Sequence, residues 1–502
     1  MQPLNSPFWL EQAEPAYPAL AGELQVDVAV VGAGITGATT ALLLSQAGKT
    51  VALFESSQVC FGATGYTTAK LTVGHSLVYA DLVDRHGVEV ARRYAASNQA
   101  AIEDVARRVE EHGIDCDFER ASNYVYVESG STAELEREAD AARRAGVDVQ
   151  LTTETDLPYP VAGALRVEEQ AQFHPWKYVA ALVRLVDGKG SHVFEQTRAT
   201  GVRGSRPYVV ETDGGLVRAA HVVVATQLPF LDRGLYFAKA HPMKSYAVAG
   251  AVEGERAPRG MYISVDKPTR SVRSTPGSEG SRIVVVGGEG HKPGEEPMTD
   301  ERYRRLEQFL QEHFGVAASH RWSTHDYVPV DGLPYIGRLW PGRDGILVAT
   351  GFAKWGMTKG TLAAGILSDL ILGRANPDAE LYDAARLDVR RSAATFVKEN
   401  AHVGVAFVRD RVRPRAGRER IEALKPGEGT IARVAGKQIA AYRDDEGALH
   451  TLSARCTHLG CIVGWNPADR AWECPCHGSR FAADGTLVQG PATADLPPDR
   501  FD

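Results

Sequence analysis

The stretch VDVAVVGAGITG, residues 26–37, decides the architecture of the larger part of this chain. Its first half, VDVAVV, is a short and nearly continuous apolar run, as expected of a strand buried on both faces of a parallel sheet. It passes directly into Gly32-Ala33-Gly34-Ile35-Thr36-Gly37 and then ATTALLLSQAG, a helical pattern stopped at Gly48. A second strand, 50–54, ends in Glu55. Gly32 permits the tight turn, Gly34 lets a pyrophosphate approach the backbone, and Gly37 lets helix and strand pack closely. The helix start, with Ile35 and Thr36, offers free N–H groups to phosphates, and Glu55, with Ser56 beside it, is placed to accept from ribose hydroxyls. The motif does not choose between NAD and FAD. A second fingerprint for a separate nicotinamide is missing: Gly288-Glu289-Gly290 has Pro293 where the third glycine would stand.

The rest of the composition bounds the partners. At 502 residues the chain is expected to hold about three units. Its 56 Lys and Arg against 63 Asp and Glu leave a net charge of −7, which argues against nucleic acid as the main partner. The N-terminus MQPLNSPFWLEQ has no signal-peptide pattern, and no run of about 18 apolar residues predicts a membrane span, so the expected location is cytoplasmic. Six cysteines, four of them clustered, point to a metal or redox site rather than a disulfide framework.

The cluster is CTHLGC (456–461) followed by CPCHGS (474–479). Zinc sites commonly pair two cysteines and then two histidines, whereas each half here mixes one of each. The plant-type ferredoxin spacing opens correctly, but its next cysteine is too distant. Two irons ligated differently, one by two thiolates and one by two imidazoles, do fit. Residues 419–502 resemble the Rieske family on these two motifs. The resemblance implies that Cys456 and Cys474 bind one iron and His458 and His477 the other. It also implies a Cys461–Cys476 disulfide tying the two loops, and a Ser479 hydroxyl directed at a bridging sulfide. Phe481 stands where high-potential members carry tyrosine, so the potential is expected to lie below theirs and above that of plant-type ferredoxins. GPATADLP (490–497) resembles the proline-bearing loop that covers the cluster.

A one-electron cluster decides the nucleotide. Hydride removal from carbon moves two electrons, a nicotinamide gives electrons singly only with difficulty, and a flavin does both, so the expected cofactors are FAD and a Rieske-type 2Fe-2S cluster. The segment FGATGYTTAK (61–70) then resembles the Gly-rich run past the flavin in D-amino-acid-oxidase-like (DAO-like) flavoproteins, HVVVAT (221–226) their closing strand, and VDGLPYIG (330–337) their late signature. GFAKWGMT (351–358) leads into a helix whose N-terminus would face the flavin pyrimidine carbonyl. By this resemblance Thr64, Gly65, Thr67, Thr68, Ala69, Thr226, Gly351, Gly356, Met357 and Thr358 join the flavin site. Lys244, Tyr246, His75, Lys354 and Trp355 are the candidates for contact with substrate and for catalysis. No segment matches the arginine that clamps a substrate carboxylate in amino-acid-oxidising relatives.

The expected fold is thus α/β plus all-β: a Rossmann-type FAD domain (24–90, 160–228, 325–375) interleaved with a mixed-sheet substrate domain (91–159, 229–324), within residues 1–375. A linker (376–418) and a small Rieske β-domain (419–502) follow. Ser131 to Glu134 reads as a capping box, and PFLDRGLYF (229–237) as part of a sheet over the flavin. The arginine-rich strip Arg409, Arg411, Arg413, Arg415, Arg418 and Arg420 reads as a solvated linker rather than a docking strip. The expected activity is dehydrogenation of a small amine or amino-acid-like compound at FAD. Single electrons would leave through the cluster to an external carrier such as a ferredoxin, cytochrome or quinone, with the histidine-ligated iron facing outward. Reverse electron flow and a non-catalytic redox sensor are the alternatives. A Rieske oxygenase is disfavoured because no facial triad for a mononuclear iron is recognisable.

Overall fold

In the computed structural model, residues 5–11, 13, 14, 16–294, 298–342, 344–386, 397, 400, 401 and 417–499 are described. Arg409, Arg411, Arg413 and Arg415, with most of the expected linker, lie outside them.

The apolar run forms the strand Gly22–Val31, which pairs in parallel with Gly215–Val224 on one side and Val51–Phe54 on the other. Ile346–Thr350 and His192–Phe194 extend this sheet in parallel, and Tyr335–Arg338 closes it antiparallel. Five residues of the central strand (Val26 and 28–31) are buried, and helices Ile35–Gln46 and Gly356–Leu372 pack on each other over the sheet. Gly32 has φ +102°, and a Cβ there would lie 2.6 Å from the Ala225 carbonyl oxygen. At Gly37 a Cβ would overlap the Gly32 carbonyl oxygen, so only glycine lets the helix sit this close to the turn.

The second, nine-stranded sheet is mixed. It runs His320–Pro329, Ala240–Glu253, Ser281–His291, Arg270–Pro276, Met261–Ser264, Glu119–Val127, Gly163–Gln172 and Lys70–Leu71, with Gln150–Thr152 off this path. Gly163–Gln172 belongs to this sheet although it falls in a span expected for the FAD domain. It pairs antiparallel with Glu119–Val127 rather than joining the parallel sheet. Residues 229–237 are not part of the sheet; they form a loop and the start of the short helix Tyr236–Lys239. The helix Ala133–Arg144 begins one position later than the capping box implied. Its N-cap is Thr132, which makes no side-chain cap bond, so Glu134 is not at the reciprocal position.

Near the C-terminus, two small antiparallel sheets form an all-β unit. Gly429–Val434, Lys437–Arg443 and Leu449–Ser453 make one; Gly464–Asn466, Ala471–Glu473, Arg480–Ala482 and Leu487–Gln489 make the other. Among the described residues no helix is long and apolar enough to cross a membrane.

Candidate functional site

Two cavities meet at the glycine turn. The smaller, about 180 Å³, is lined by Gly32, Gly34, Glu55, Ser56, Thr64 and Thr226 among others. The larger, about 670 Å³, is lined by Gly34, Ile35, Thr36, Thr64, Thr67, Thr68, Gly351, Gly356 and Met357 and by strands of the second sheet. Both share Gly34, Ala63, Thr64, Tyr66, Ala225, Gln227 and Thr324, so they form one elongated space. Glu55 accepts from the Ala33 N–H at 3.0 Å, the Ser57 N–H at 3.2 Å and the Ser56 hydroxyl at 3.0 Å. Burial pushes its carboxyl above the ordinary range despite these donors. An acid held at one end, a side-chain-free turn in the middle and a helix N-terminus at the other end fit an extended dinucleotide. A Cβ at Gly34 would come within 2.8 Å of Thr64 Oγ1 and narrow that cradle.

Four of the expected residues stand behind the wall rather than on it. Gly37 and Gly65 allow close backbone packing, Gly65 against the Cys60 carbonyl. Ala69 is buried with φ +55°, and Thr358 ties the Gly356–Leu372 helix to Thr72 through its hydroxyl.

Of the catalytic candidates, Tyr246, Lys354 and Trp355 line the larger cavity. Lys354 sits in a strained turn, with φ +52° at Ala353 and +71° at Lys354. The turn is held by the Ala353 N–H on the Tyr327 carbonyl at 3.0 Å and by the Lys354 N–H on the Asp326 carboxylate. This aims the ammonium into the cavity, about one contact from Gly290, where a Cβ would meet Nζ at 3.1 Å. Enclosure by protein lowers its pKa from the usual lysine value, with Asp326 opposing. His75 lies one layer deeper, stacked on Trp355 at 4.7 Å and bonded to the Tyr94 hydroxyl at 2.5 Å. Burial, reinforced by the Lys359 charge, lowers the pKa of its imidazole well below the usual histidine value.

Lys244 does not face the cavity. Its side chain is 0% exposed, and its ammonium meets Asp469 at 2.5 Å and Glu473, both in the C-terminal unit. Arg480 meets Asp469 at 2.9 Å, while Ser323 and Tyr303 donate to the same carboxylate at 2.6 and 3.0 Å. Burial alone would raise the Asp469 carboxyl, but Lys244 and Arg480 outweigh it and hold it below the ordinary range. The lysine expected at the flavin instead clamps two domains together.

The two metal-binding loops are built alike. The Cys456 N–H bonds the Cys461 carbonyl and the Cys474 N–H the Ser479 carbonyl, each at 2.8 Å, with left-handed Gly460 and Gly478 closing the turns. Cys461 and Cys476 are disulfide-bonded, whereas Cys456 and Cys474 are free and buried. The His458 and His477 rings stand 5.0 Å apart at 87°, and both Nδ1 atoms are buried without a hydrogen-bond partner. Two free thiols and two orphaned imidazole nitrogens on these paired loops fit, in kind and number, the donors that a 2Fe-2S cluster with mixed ligation needs. The Ser479 hydroxyl accepts from the Ala492 N–H at 3.1 Å, which ties the 490–497 loop to the cysteine loop.

The histidine face is turned inward, contrary to the outward orientation expected. His458 Nε2 bonds Asp232 at 2.6 Å, and the His477 ring lies 5.5 Å from Phe237, so the 229–237 segment covers this face. On the flavin side, Tyr327 and His325 line the larger cavity and reach the same loop: Tyr327 donates to the His477 carbonyl at 2.8 Å, and His325 Nδ1 meets the Gly478 carbonyl at 3.1 Å. Gly490, Pro491 and Ala492 line the smaller cavity. Sequence reasoning missed Asp232, His325 and Tyr327, and also Lys70, Arg302 and Arg305, which line the larger cavity. Each acquires its role from residues distant in the chain.

Fold and site define a flavin-dependent oxidoreductase carrying a Rieske iron–sulfur unit. The family model for FAD-dependent oxidoreductases (DAO) matches residues 27–370, and that for the Rieske 2Fe-2S domain matches 419–498. The chain belongs to the DAO family of FAD-dependent oxidoreductases and ends in a Rieske domain; its cofactors are FAD and a 2Fe-2S cluster. It is 35% identical over 497 residues to the Rieske 2Fe-2S iron-sulfur protein YhfW of Bacillus subtilis (strain 168), covering 97% of this chain and 96% of that one. It is 25% identical over 372 residues to gamma-glutamylputrescine oxidoreductase of Escherichia coli (strain K12), covering 71% of this chain and 85% of the relative. The fold matches glycine oxidase from Geobacillus kaustophilus with a TM-score of 0.59 at 22% identity, over 72% of this chain and 99% of that chain.

Proposed function

We propose that this oxidoreductase dehydrogenates a small amine or amino-acid-like compound and delivers the electrons one at a time, through its own Rieske domain, to an external one-electron carrier. When bound, FAD accepts hydride from carbon and releases electrons singly, and the cluster takes them one at a time. The observation that carries this reading is the shared wall: Tyr327 and His325 face the larger cavity and hydrogen-bond the carbonyls of His477 and Gly478. The 25% identity to an enzyme named for an amine supports the substrate class.

The chain's own contributions follow from position. Gly32, Gly34, Glu55 and the Gly356–Leu372 helix start would hold the cofactor. Lys354, fixed by its strained turn, presents a cation to the substrate. Tyr246 donates to or accepts from His291 at 2.9 Å, which orients its hydroxyl along the cavity wall. The Lys244–Asp469–Glu473–Arg480 network keeps the two domains docked, so transfer between centres needs no domain excursion. An anaerobic screen of amines and amino acids, reading flavin absorbance and cluster EPR together, tests this. Bleaching of the flavin followed by a reduced-cluster signal is expected. If dithionite reduces the cluster but no amine or amino acid reduces the flavin, the reading fails.

A further inference from the structure

The smaller cavity, at the Glu55 end of the nucleotide space, takes its walls from both domains. On one side stand Gly32, Gly34, Glu55 and Ser56; on the other stand Val488, Gln489, Gly490, Pro491, Ala492 and Thr493 of the Rieske unit. The two sides are joined through residues that themselves line the space. The Arg198 guanidinium donates to the Leu487 carbonyl at 2.9 Å, and the Gln489 amide donates to the side-chain carbonyl of Gln227. On its other face the same segment rests on the cluster loops. The Ala492 N–H donates to Ser479 Oγ at 3.1 Å, and the Thr457 hydroxyl donates to the Ala494 carbonyl at 2.6 Å. Leu487 is packed in the core of the all-β unit, so by strand alternation its half-buried neighbour Val488 points away from that core, towards the cavity it lines.

In a dinucleotide fold the acid after the second strand receives a ribose, so the adenosine half of FAD comes to the Glu55 end and thus to the smaller cavity. We infer that residues 488–493 of the Rieske unit form the outer wall of the FAD site, so that the cofactor is enclosed between the two domains rather than held by the DAO unit alone. One short segment then has the cofactor on one face and the cluster loops on the other. A ligand that binds the docked arrangement better than the undocked one stabilises docking by the same free energy, so FAD loading and Rieske docking are linked. The cofactor adds to the hold of the Lys244–Asp469–Glu473 network. The wall is the same whichever substrate reduces the flavin and wherever the electrons go.

The test is a titration of FAD into the full chain, its cluster in place and its flavin removed, read by flavin fluorescence. Val488→Glu turns a carboxylate towards a cofactor that carries phosphate charge, and should raise the FAD Kd at least about tenfold. Val488→Gln, of the same length without the charge, should raise it far less, and Val488→Lys least of all. Leu449→Glu adds the same charge at an exposed position in the other small sheet and should leave the Kd unchanged. Visible circular dichroism of the cluster reports that the Rieske unit of each variant is folded. In the native protein, amide hydrogen exchange of residues 487–494 should slow when FAD binds, a readout that needs no variant. Native FAD affinity in Val488→Glu, equal weakening by the glutamate and lysine substitutions, or exchange of 487–494 unaltered by FAD would each overturn the inference.

Discussion

Replacing Lys244 by methionine isolates the contact that holds the two redox domains together. The network contains two cations, Lys244 and Arg480, and two carboxylates, Asp469 and Glu473, and is neutral as built. The substitution leaves it one positive charge short with the carboxylate side chains only 6% and 1% exposed. Breaking one partner out of a buried pair costs about 3–5 kcal/mol, because the remaining charge stays desolvated. At 1.4 kcal/mol per factor of ten, this weakens the docked arrangement by roughly 10²- to 10⁴-fold. Urea unfolding of the holoprotein, followed by visible circular dichroism of the cluster and by flavin fluorescence, reads the loss separately in each domain. The cluster-reported transition should lose about 3–5 kcal/mol, and Lys244→Met combined with Glu473→Gln should recover most of it by restoring neutrality. A single variant whose cluster transition moves by less than about 1 kcal/mol, or a double variant no better than the single, would refute a docking role for Lys244.

Asp232→Asn removes a carboxylate from the outer nitrogen of His458, and the cluster midpoint potential should rise by on the order of 100 mV, the Coulomb effect of one charge about an imidazole away at an effective dielectric near 20; redox titration by EPR checks this, and an unchanged potential contradicts it. Lys354→Met should lower kcat/KM at least about tenfold. Burial lowers the folded pKa of Lys354, so its ammonium is lost as pH rises through a value below 10.5. The native enzyme should therefore show an alkaline limb below that value, absent from the variant. Cys461→Ser opens a disulfide spanning a sequence separation of 15, for about 3 kcal/mol of stability by the loop-entropy estimate, and should broaden or abolish the cluster EPR signal while flavin content is retained. Gly34→Val, whose side chain would enter the cradle against Thr64, should lose flavin and keep the cluster.

What the sequence made legible was local. The glycine turn, Glu55 and the CTHLGC and CPCHGS loops are contiguous motifs whose chemistry needs those residues at that spacing, so both domains and both cofactors are legible in them. What it hid depends on partners far along the chain. Lys244 meets Asp469 across 225 positions and Asp232 meets His458 across 226. The alternation in HPMKSYAV separates two faces but does not say which meets the cofactor: Met243, Ser245 and Ala247 line the cavity, whereas Lys244 between them points to the C-terminal unit. An outward histidine face is the expectation if the second electron leaves from it; here the 229–237 segment, expected in a sheet, leaves it and packs over His458 and His477. The helix Thr299–Phe314 reads as an ordinary charged amphipathic face, and only its docking beside Glu289 brings Arg302 and Arg305 onto the wall of the larger cavity.

The most direct test of intramolecular coupling is an anaerobic reductive titration of the fully loaded protein with whichever amine reduces its flavin. Substrate should drive one electron equivalent per chain beyond the two taken by the flavin, with the reduced-cluster EPR signal growing as flavin absorbance falls and at a rate independent of protein concentration. A flavin fully reduced by substrate beside a cluster that stays oxidised, or a cluster reduced only at a rate proportional to protein concentration, would contradict it.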